Sequence, residues 1–279
     1  MDLYTSVSRR VASEVIGAYS TSFGVASRLF SPEIKRSISD IYALVRIADE
    51  IVDTYTGDNA AQYLDELEQE VYRAQSTGYS TNLVVHAFAV TACQFHIDER
   101  VIAPFFESMR TDLEPAPRYD HDSYTRYIYG SAEVVGLMCL KVFEPDEHRY
   151  HERELGARAL GAAFQKINFV RDMADDYNRL HRFYFPTGTY DQFDEKALGI
   201  IVTDIKADMV TARHACRMLP RSSQYAVGLA LRYFELLLNQ LEESPVTLIK
   251  QQRVRVGNGR KLWLYLHITV RQFIGAPAV

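Results

Sequence analysis

The sequence predicts an all-α fold in a single domain, residues 1–279, and three observations carry that prediction. Apolar residues recur at steps of three and four along most of the chain, which is the spacing of one buried helix face. Alternating strand patterns bounded by Asn-Gly or Asp-Gly turns are missing. The chain has only 14 Gly and 9 Pro, few for a loop-rich or sandwich fold, and no low-complexity linker divides it.

The first clear helix shows how the elements are assigned. Ser31 and Pro32 stand before it, an N-cap residue followed by a proline suited to the first turn. Apolar positions then recur from Ile34 to Val52, which predicts one buried face. Turn-forming stretches such as 56–59 interrupt the pattern. The same periodicity predicts further helices at 60–74, 82–93, 99–109, 123–142, 152–177, 201–218 and 223–242.

Composition and charge exclude several classes of protein. The net charge of −5 is not that of a nucleic-acid-binding protein, so we expect no nucleic-acid partner. Three scattered cysteines form no CxxC pair or disulfide framework, which is typical of a reducing cytoplasm. The N-terminus lacks the pattern of a signal peptide, and no uncharged apolar run reaches the ~18 residues of a spanning helix. We therefore expect a cytoplasmic protein.

A first pair of acidic residues lies on the helix predicted at 34–52 or just beyond its end. Asp49 and Asp53 are four residues apart, so their side chains share one helix face with Arg46 one turn earlier. Two like charges at this spacing destabilise an isolated helix, and a divalent cation would relieve the repulsion. A solvated acidic face is the alternative for one such pair taken alone.

A second acidic pair strengthens the interpretation of the first as a metal-binding pair. Gln165, Asn168, Asp172 and Asp176 recur at steps of three and four and form one polar stripe on an otherwise apolar helix. Buried carboxylates and amides need partners, because unpaired buried charge is costly. A cavity that holds metal ions is one such partner, and a salt bridge to Arg46 or Arg171 is the structural alternative.

Two carboxylate-bearing helices that face each other suit the chemistry of diphosphates. Mg²⁺ takes one or two carboxylates and completes its shell with water and phosphate oxygens. Ionisation of an allylic diphosphate leaves a carbocation that must be kept from water, so the remaining pocket should be apolar and aromatic. Among the 18 Tyr and 14 Phe, candidates for that lining are Phe23, Tyr42, Phe164 and Tyr233.

Five stretches of the sequence together resemble a known family. They occur in the family's order, at 19–23, 42–53, 127–136, 165–186 and 253–262. The chain resembles the squalene/phytoene synthase family over nearly its whole length. Its sequence at 131–136 and 162–169 looks most like that of bacterial 15-cis-phytoene synthases. The resemblance implies a class I isoprenoid-synthase helical bundle with a central cavity.

The resemblance also implies a reaction and residue roles. One prenyl diphosphate ionises and is captured by another to give a cyclopropyl diphosphate, which rearranges to the head-to-head hydrocarbon. The four motif aspartates and Asn168 would bind Mg²⁺, for which Mn²⁺ is an alternative, and Tyr127 would lie near the reacting centre. Substrate contacts are implied for Tyr19, Ser22, Phe23, Tyr42, Arg46, Gln165, Asn168, Arg171, Tyr233 and Arg253, with Arg255 as a competitor for the last role.

Some positions depart from the family pattern. Tyr19 stands where many relatives have histidine, which puts one diphosphate contact in doubt. Glu133 introduces a charge into a usually uncharged stretch, where it either faces outward or perturbs the pocket. Neither position belongs to the four aspartates. A non-catalytic assembly factor of the same family, which would lack those aspartates, is therefore the weaker alternative.

The expected product is a hydrocarbon formed without reduction. Branches of the family that use NADPH usually carry a C-terminal membrane anchor, and the tail at 262–270 is too short for one and soon meets Arg271. We therefore expect no NADPH requirement. Two geranylgeranyl diphosphates giving phytoene are favoured, with a C15 dehydrosqualene or squalene-type reaction as the alternative. A head-to-tail synthase or a cyclase of the same fold would have acidic motifs with a different local sequence.

The basic residues near the C-terminus leave a question about partners. Arg253, Arg255, Arg260 and Lys261 precede an apolar tail. A diphosphate site with a solvated edge is the favoured interpretation, and peripheral contact with an anionic membrane is the alternative. Prenyl diphosphates are the expected substrates, and downstream carotenoid enzymes are candidate partners.

Overall fold

The long helix at 147–180 lies between two groups of helices and contacts both. The computed structural model describes residues 2–115 and 117–278, without the side chains of residues 21–23. All regular structure in this part is helical, which confirms the predicted fold class. The helices are α1 (Leu3–Tyr19), α2 (Thr21–Ala26), α3 (Pro32–Asp53), α4 (Ala60–Thr77), α5 (Leu83–Phe95), α6 (Glu99–Thr111), α7 (His121–Ile128), α8 (Val134–Phe143), α9 (Glu147–Leu180), α10 (Glu195–Met218), α11 (Arg221–Glu242), α12 (Val246–Ile249) and α13 (Asn258–Phe273).

Side-chain caps fix where the two motif-bearing helices begin. Ser31 accepts a hydrogen bond from the backbone N–H of Ile34 and Pro32 follows it, as the sequence predicts for α3. Asp146 accepts from the N–H of Arg149 at 3.0 Å and starts α9. Helix α9 therefore begins five residues before the predicted start at 152. Charged residues fill its first turns and hide the apolar periodicity there.

The helix predicted at 123–142 is interrupted. A π-helical turn, Tyr129–Glu133, separates α7 from α8. Gly130 in this turn lies against α6, where a Cβ atom would stand 2.2 Å from the carbonyl oxygen of Pro104. The close approach requires glycine, and the π turn keeps α7 and α8 nearly continuous while meeting α6. Such a turn leaves no signal in the apolar spacing.

Two apolar clusters make up the core. One is built mainly from α3, α4, α5, α6, α8 and the first half of α11, and the other from α7, α9, α10, the second half of α11 and α12. Leu160 and Tyr233 pack against both clusters, so the two cores adjoin. Helices α3, α8, α9, α10 and α11 enclose a cavity of about 310 Å³ between them. None of the described helices is long and apolar enough to cross a membrane.

Candidate active site

Helix α3 leads from the cavity to the first acidic pair. Tyr42 and Val45 line the cavity, Asp49 lies one turn further on, and Asp53 is the last residue of the helix. Carboxylates near the C-terminal end of a helix are disfavoured by the helix dipole. Arg46 offsets part of that cost through ion pairs with Glu50 and, at 3.8 Å, with Asp49. A further cation beside the pair would offset more of it.

Burial and like charge act together on this pair. Desolvation, followed by the charge of Asp53, raises the pKa of Asp49 to about 8. The charges of Asp112 and Glu50 act in the same direction, while Arg46 opposes them. A proton or a cation is therefore strongly favoured at Asp49, which is the electrostatic condition that a metal ligand meets.

Helix α9 repeats this arrangement with the second acidic pair. Gln165 and Asn168 line the cavity, and Asp172 and Asp176 follow on the next two turns. Burial, then the charges of Asp172 and Asp53, raises the pKa of Asp176 to about 7. Asp53 belongs to α3, and Arg182, which follows α9, binds both Asp53 and the backbone of Asp176, so the two acidic faces lie side by side.

Arg182 joins the two acidic helices directly. Its guanidinium donates to Asp53 Oδ1 at 2.6 Å and to the carbonyl oxygen of Val52 at 3.0 Å, both at the end of α3. Its backbone N–H donates to the carbonyl oxygen of Asp176 at 3.2 Å. The side chain is only 5% exposed. Arg182 therefore sets how close the first acidic pair lies to the second, a role that its sequence neighbourhood did not reveal.

Asp112 is a fifth aspartate of the site that the sequence did not indicate. Its backbone carbonyl accepts from Arg182 at 2.7 Å, and its carboxylate accepts from the hydroxyl of Tyr127 at 2.8 Å. Burial raises the pKa of Asp112 to about 7, against the opposing charge of Arg182. Asp112 follows α6 without any repeated motif, so only contacts across 15 and 70 residues bring it here.

Tyr127, predicted near the reacting centre, lies in a buried aromatic cluster. It is 4% exposed, and its ring stacks on Phe169 and Tyr184 at centroid distances of 6.0 and 5.5 Å. Within the described residues, the cavity lining does not include it. In this arrangement Tyr127 orients Asp112, and through Asp112 it supports Arg182.

Two of the basic residues predicted to contact substrate, Arg171 and Arg253, lie beside the second acidic pair. Arg171 binds Asp172 through two hydrogen bonds of 2.8 and 2.5 Å. Arg253 Nε lies 2.8 Å from Asp172 Oδ1, which places Arg253 at the site and pairs it with that carboxylate. Tyr233 lines a second cavity, where the Lys261 ammonium lies 5.3 Å from its ring centroid.

The aromatic candidates divide between the cavity and its surroundings. Tyr42 and Phe164 line the cavity, and Phe164 stacks on Phe234 at 3.8 Å. Tyr19 is half exposed, with the Arg46 guanidinium 4.5 Å from its ring centroid. The side chains of Ser22 and Phe23 lie outside the described part of the chain. Glu133 pairs with Arg158 of α9 at 2.6 Å, so its charge is compensated.

The donors of this site fit magnesium that arrives with diphosphate. Among the residues that the structure describes, no three His, Cys, Asp or Glu side chains converge into a complete metal site. Mg²⁺ needs only one or two carboxylates when phosphate and water fill its other positions. Each acidic pair supplies that number, and Asn168 Oδ1 is buried without a hydrogen-bond partner in the described residues. The donor set does not fit a metal held by protein ligands alone.

A comparison with known proteins decides the family. The profile of the Squalene/phytoene synthase family matches residues 16–260. The chain belongs to the squalene/phytoene synthase family. It is 32% identical over 206 residues to phytoene synthase 2, chloroplastic, from Solanum lycopersicum, and this alignment covers 71% of this chain and 63% of that relative. It is 24% identical over 235 residues to 4,4'-diapophytoene synthase from Staphylococcus haemolyticus, covering 82% and 76%.

Solved structures of the family share the fold. The squalene synthase HpnC from Alicyclobacillus acidocaldarius superposes with a TM-score of 0.76 at 19% identity, covering 90% of this chain and 98% of that one. A dehydrosqualene synthase in complex with ligand gives a TM-score of 0.71 at 20% identity, covering 97% and 98%. The predicted isoprenoid-synthase bundle is thereby confirmed. At the level of the family, the reaction is the head-to-head joining of prenyl diphosphates.

Proposed function

We propose that this protein joins two geranylgeranyl diphosphates head to head to form phytoene. The reaction passes through a cyclopropyl diphosphate and releases two diphosphates. One observation carries the proposal: α3 and α9 both run from the apolar cavity to an acidic pair, and Arg182 holds the two pairs side by side. This arrangement would offer a hydrocarbon chain and its diphosphate end different surroundings within one site, which supports the proposal.

The acidic pairs are the proposed place of the diphosphates. Asp49, Asp53, Asp172 and Asp176, with Asn168, would hold Mg²⁺. Magnesium supplies a Lewis acid there that neutralises the departing diphosphate. Manganese takes similar oxygen ligands and is a suitable substitute to test.

The basic residues and the cavity complete the proposed chemistry. Arg46 and Arg253 pair with carboxylates and are 28% and 38% exposed, so both can turn to phosphate oxygens. The cavity lining, with Phe164 and Tyr42 among it, keeps water from a developing carbocation. Gln165 and Asn168 stand where the apolar lining meets the acidic pair, which suits them to position the reacting end.

The chain length of the substrate is supported by the named relatives. The Solanum protein at 32% identity is named a phytoene synthase, and the Pantoea ananas protein, 30% identical over 184 residues, is named 15-cis-phytoene synthase. The Pantoea alignment covers 63% of this chain and 58% of that relative. The staphylococcal relative, 24% identical, is named 4,4'-diapophytoene synthase. Because of this relative, the C15 reaction is the second candidate.

One assay separates these possibilities. Purified protein is incubated with geranylgeranyl or farnesyl diphosphate and Mg²⁺, with and without NADPH, and the hydrocarbon is identified by mass spectrometry. We expect phytoene from the C20 substrate without NADPH, and no product after chelation of the metal. Product from the C15 substrate alone would contradict the chain length, and a requirement for NADPH would contradict the non-reductive course. Absence of product from both substrates would favour the assembly-factor alternative.

A further inference from the structure

Helix α13 turns one apolar face inward and another outward. Leu264 and Ile268 are buried, on the side that packs against α11. On the opposite side, spacings of three and four residues form a continuous exposed stripe. Its members are Trp263, Leu266, Val270 and Phe273, which are 62%, 53%, 58% and 93% exposed. Ile274, 67% exposed, extends this outer stripe past the end of the helix.

The surroundings of the outer stripe are strongly basic. Residues 245–278 contain six Lys and Arg and no Asp or Glu, in a chain whose net charge is −5. Arg255 and Arg260 are exposed, just before α13 and in its first turn, whereas Arg271 shares the inward face of the helix with Ile268. An exposed apolar stripe beside exposed basic residues is typical of a helix that lies in the interface of an anionic bilayer.

A second cavity opens beside this helix. It measures about 350 Å³, and α13 contributes Lys261, Leu262 and Tyr265 to its lining. Ala230 lines both this cavity and the one between α3 and α9. The two apolar spaces therefore adjoin, and the second lies next to the outer stripe.

We propose that the outer stripe of α13 docks on an anionic lipid bilayer, with the exposed Arg255 and Arg260 available to the lipid headgroups. A second copy of the chain fits less well, because a two-fold contact through the stripe would bring two basic segments together. The second cavity then opens toward lipid, where an apolar hydrocarbon would leave; this last step rests on the proposed function, and the docking itself does not.

The single tryptophan of the chain makes the test direct, because Trp263 lies within the stripe. The full-length protein is mixed with vesicles of phosphatidylcholine, with or without phosphatidylglycerol. Trp263 emission and co-sedimentation are followed, and lipids brominated on their acyl chains serve as quenchers. We expect a blue shift, quenching and sedimentation with the anionic vesicles, all weakened by high salt. No substrate is present, so docking succeeds or fails independently of catalysis.

Variants locate the surface. We expect Leu266→Glu to weaken vesicle binding about tenfold or more, and Arg260→Glu to reduce the preference for anionic lipid. The matched controls are Leu155→Glu and Val210→Glu, which change side chains that are 68% and 70% exposed on α9 and α10. Equal loss in Leu266→Glu and the controls would overturn the proposal. An unchanged Trp263 spectrum with every vesicle would do the same, as would a blue shift caused by dimerisation alone.

Discussion

Replacement of Arg182 by methionine tests whether the two acidic helices are held together as the structure indicates. The guanidinium is 5% exposed and binds Asp53, the carbonyl oxygen of Val52 and that of Asp112. Methionine keeps much of the volume and removes every one of these donors. The carbonyl oxygens and the buried carboxylate of Asp112 would lose the same partner at once.

The expected cost follows from this burial. Removing one partner of a buried, hydrogen-bonded ion pair costs about 3–5 kcal/mol. Asp53 is 38% exposed and recovers water, so the lower half of that range is the better expectation. We expect Arg182→Met to lower the free energy of unfolding by about 3–4 kcal/mol, which is roughly 10 °C in melting temperature. Product formation should fall with it, because the acidic pairs are no longer held in register.

Urea denaturation and the hydrocarbon assay measure both effects. Arg182→Lys retains the positive charge but loses the planar guanidinium with its several N–H donors. Its loss of stability should therefore be smaller than that of Arg182→Met. Arg100→Met is the matched control, because Arg100 is 79% exposed and pairs with Asp98 at the surface. That control should change stability by less than about 1 kcal/mol. If Arg182→Met were as mild as Arg100→Met, Arg182 would not be what holds α3 against α9.

Three further predictions follow from the same structure. Asp49→Ala and Asp172→Ala should each abolish product formation without unfolding the chain, and near-normal turnover in either would contradict their role. The free energy of unfolding should stay equal or rise in Asp49→Ala, which removes a repelling carboxylate, and should fall in Asp172→Ala, which removes the carboxylate that Arg171 and Arg253 bind. Asp40 is fully buried with its pKa raised to about 7 by desolvation, above the unfolded value of 3.8. The folded chain therefore retains this proton to higher pH, and Asp40 should lower the free energy of unfolding by up to about 4 kcal/mol as pH rises from 4 to 7. Asp49, Asp112 and Asp176, whose pKa values are also raised, contribute to the same fall. Asp40→Asn should therefore reduce the slope in urea titrations without removing it, and an unchanged slope would refute the prediction. Gly161→Ala should cost about 1–3 kcal/mol, because its Cβ would stand 2.4 Å from the carbonyl oxygen of Ala132; an unaltered melting temperature would show that α9 can move away.

What could be predicted from sequence was local in origin. The N-cap at Ser31 and the four-residue spacing of Asp49 and Asp53 are each decided within one or two helical turns. The stripe from Gln165 to Asp176 is of the same kind, since one helix carries all of it. Such features are visible in a single sequence because no distant residue is needed to produce them.

The parts that escaped prediction depend on distant contacts. Asp112 and Arg182 lie 70 residues apart and meet only when α6 and the end of α9 are packed. The π turn at Tyr129–Glu133 depends on how closely Gly130 can approach Pro104. Periodicity carries no information about such meetings, and so the connection between the acidic pairs remained hidden while the pairs themselves were evident.

The arginines of the site fall into two classes by burial, and this division bears on how the site can work. Arg46 and Arg253 are partly exposed and pair with carboxylates through side-chain contacts alone, so each can exchange a carboxylate for a phosphate without breaking a backbone contact. Arg182 is buried and bound to two backbone carbonyls, so it cannot turn without releasing the end of α3. A site that must bring crowded carboxylates together and still accept an anion needs both kinds of cation. Fixed charge sets the spacing of the acidic pairs, and exchangeable charge meets the diphosphate.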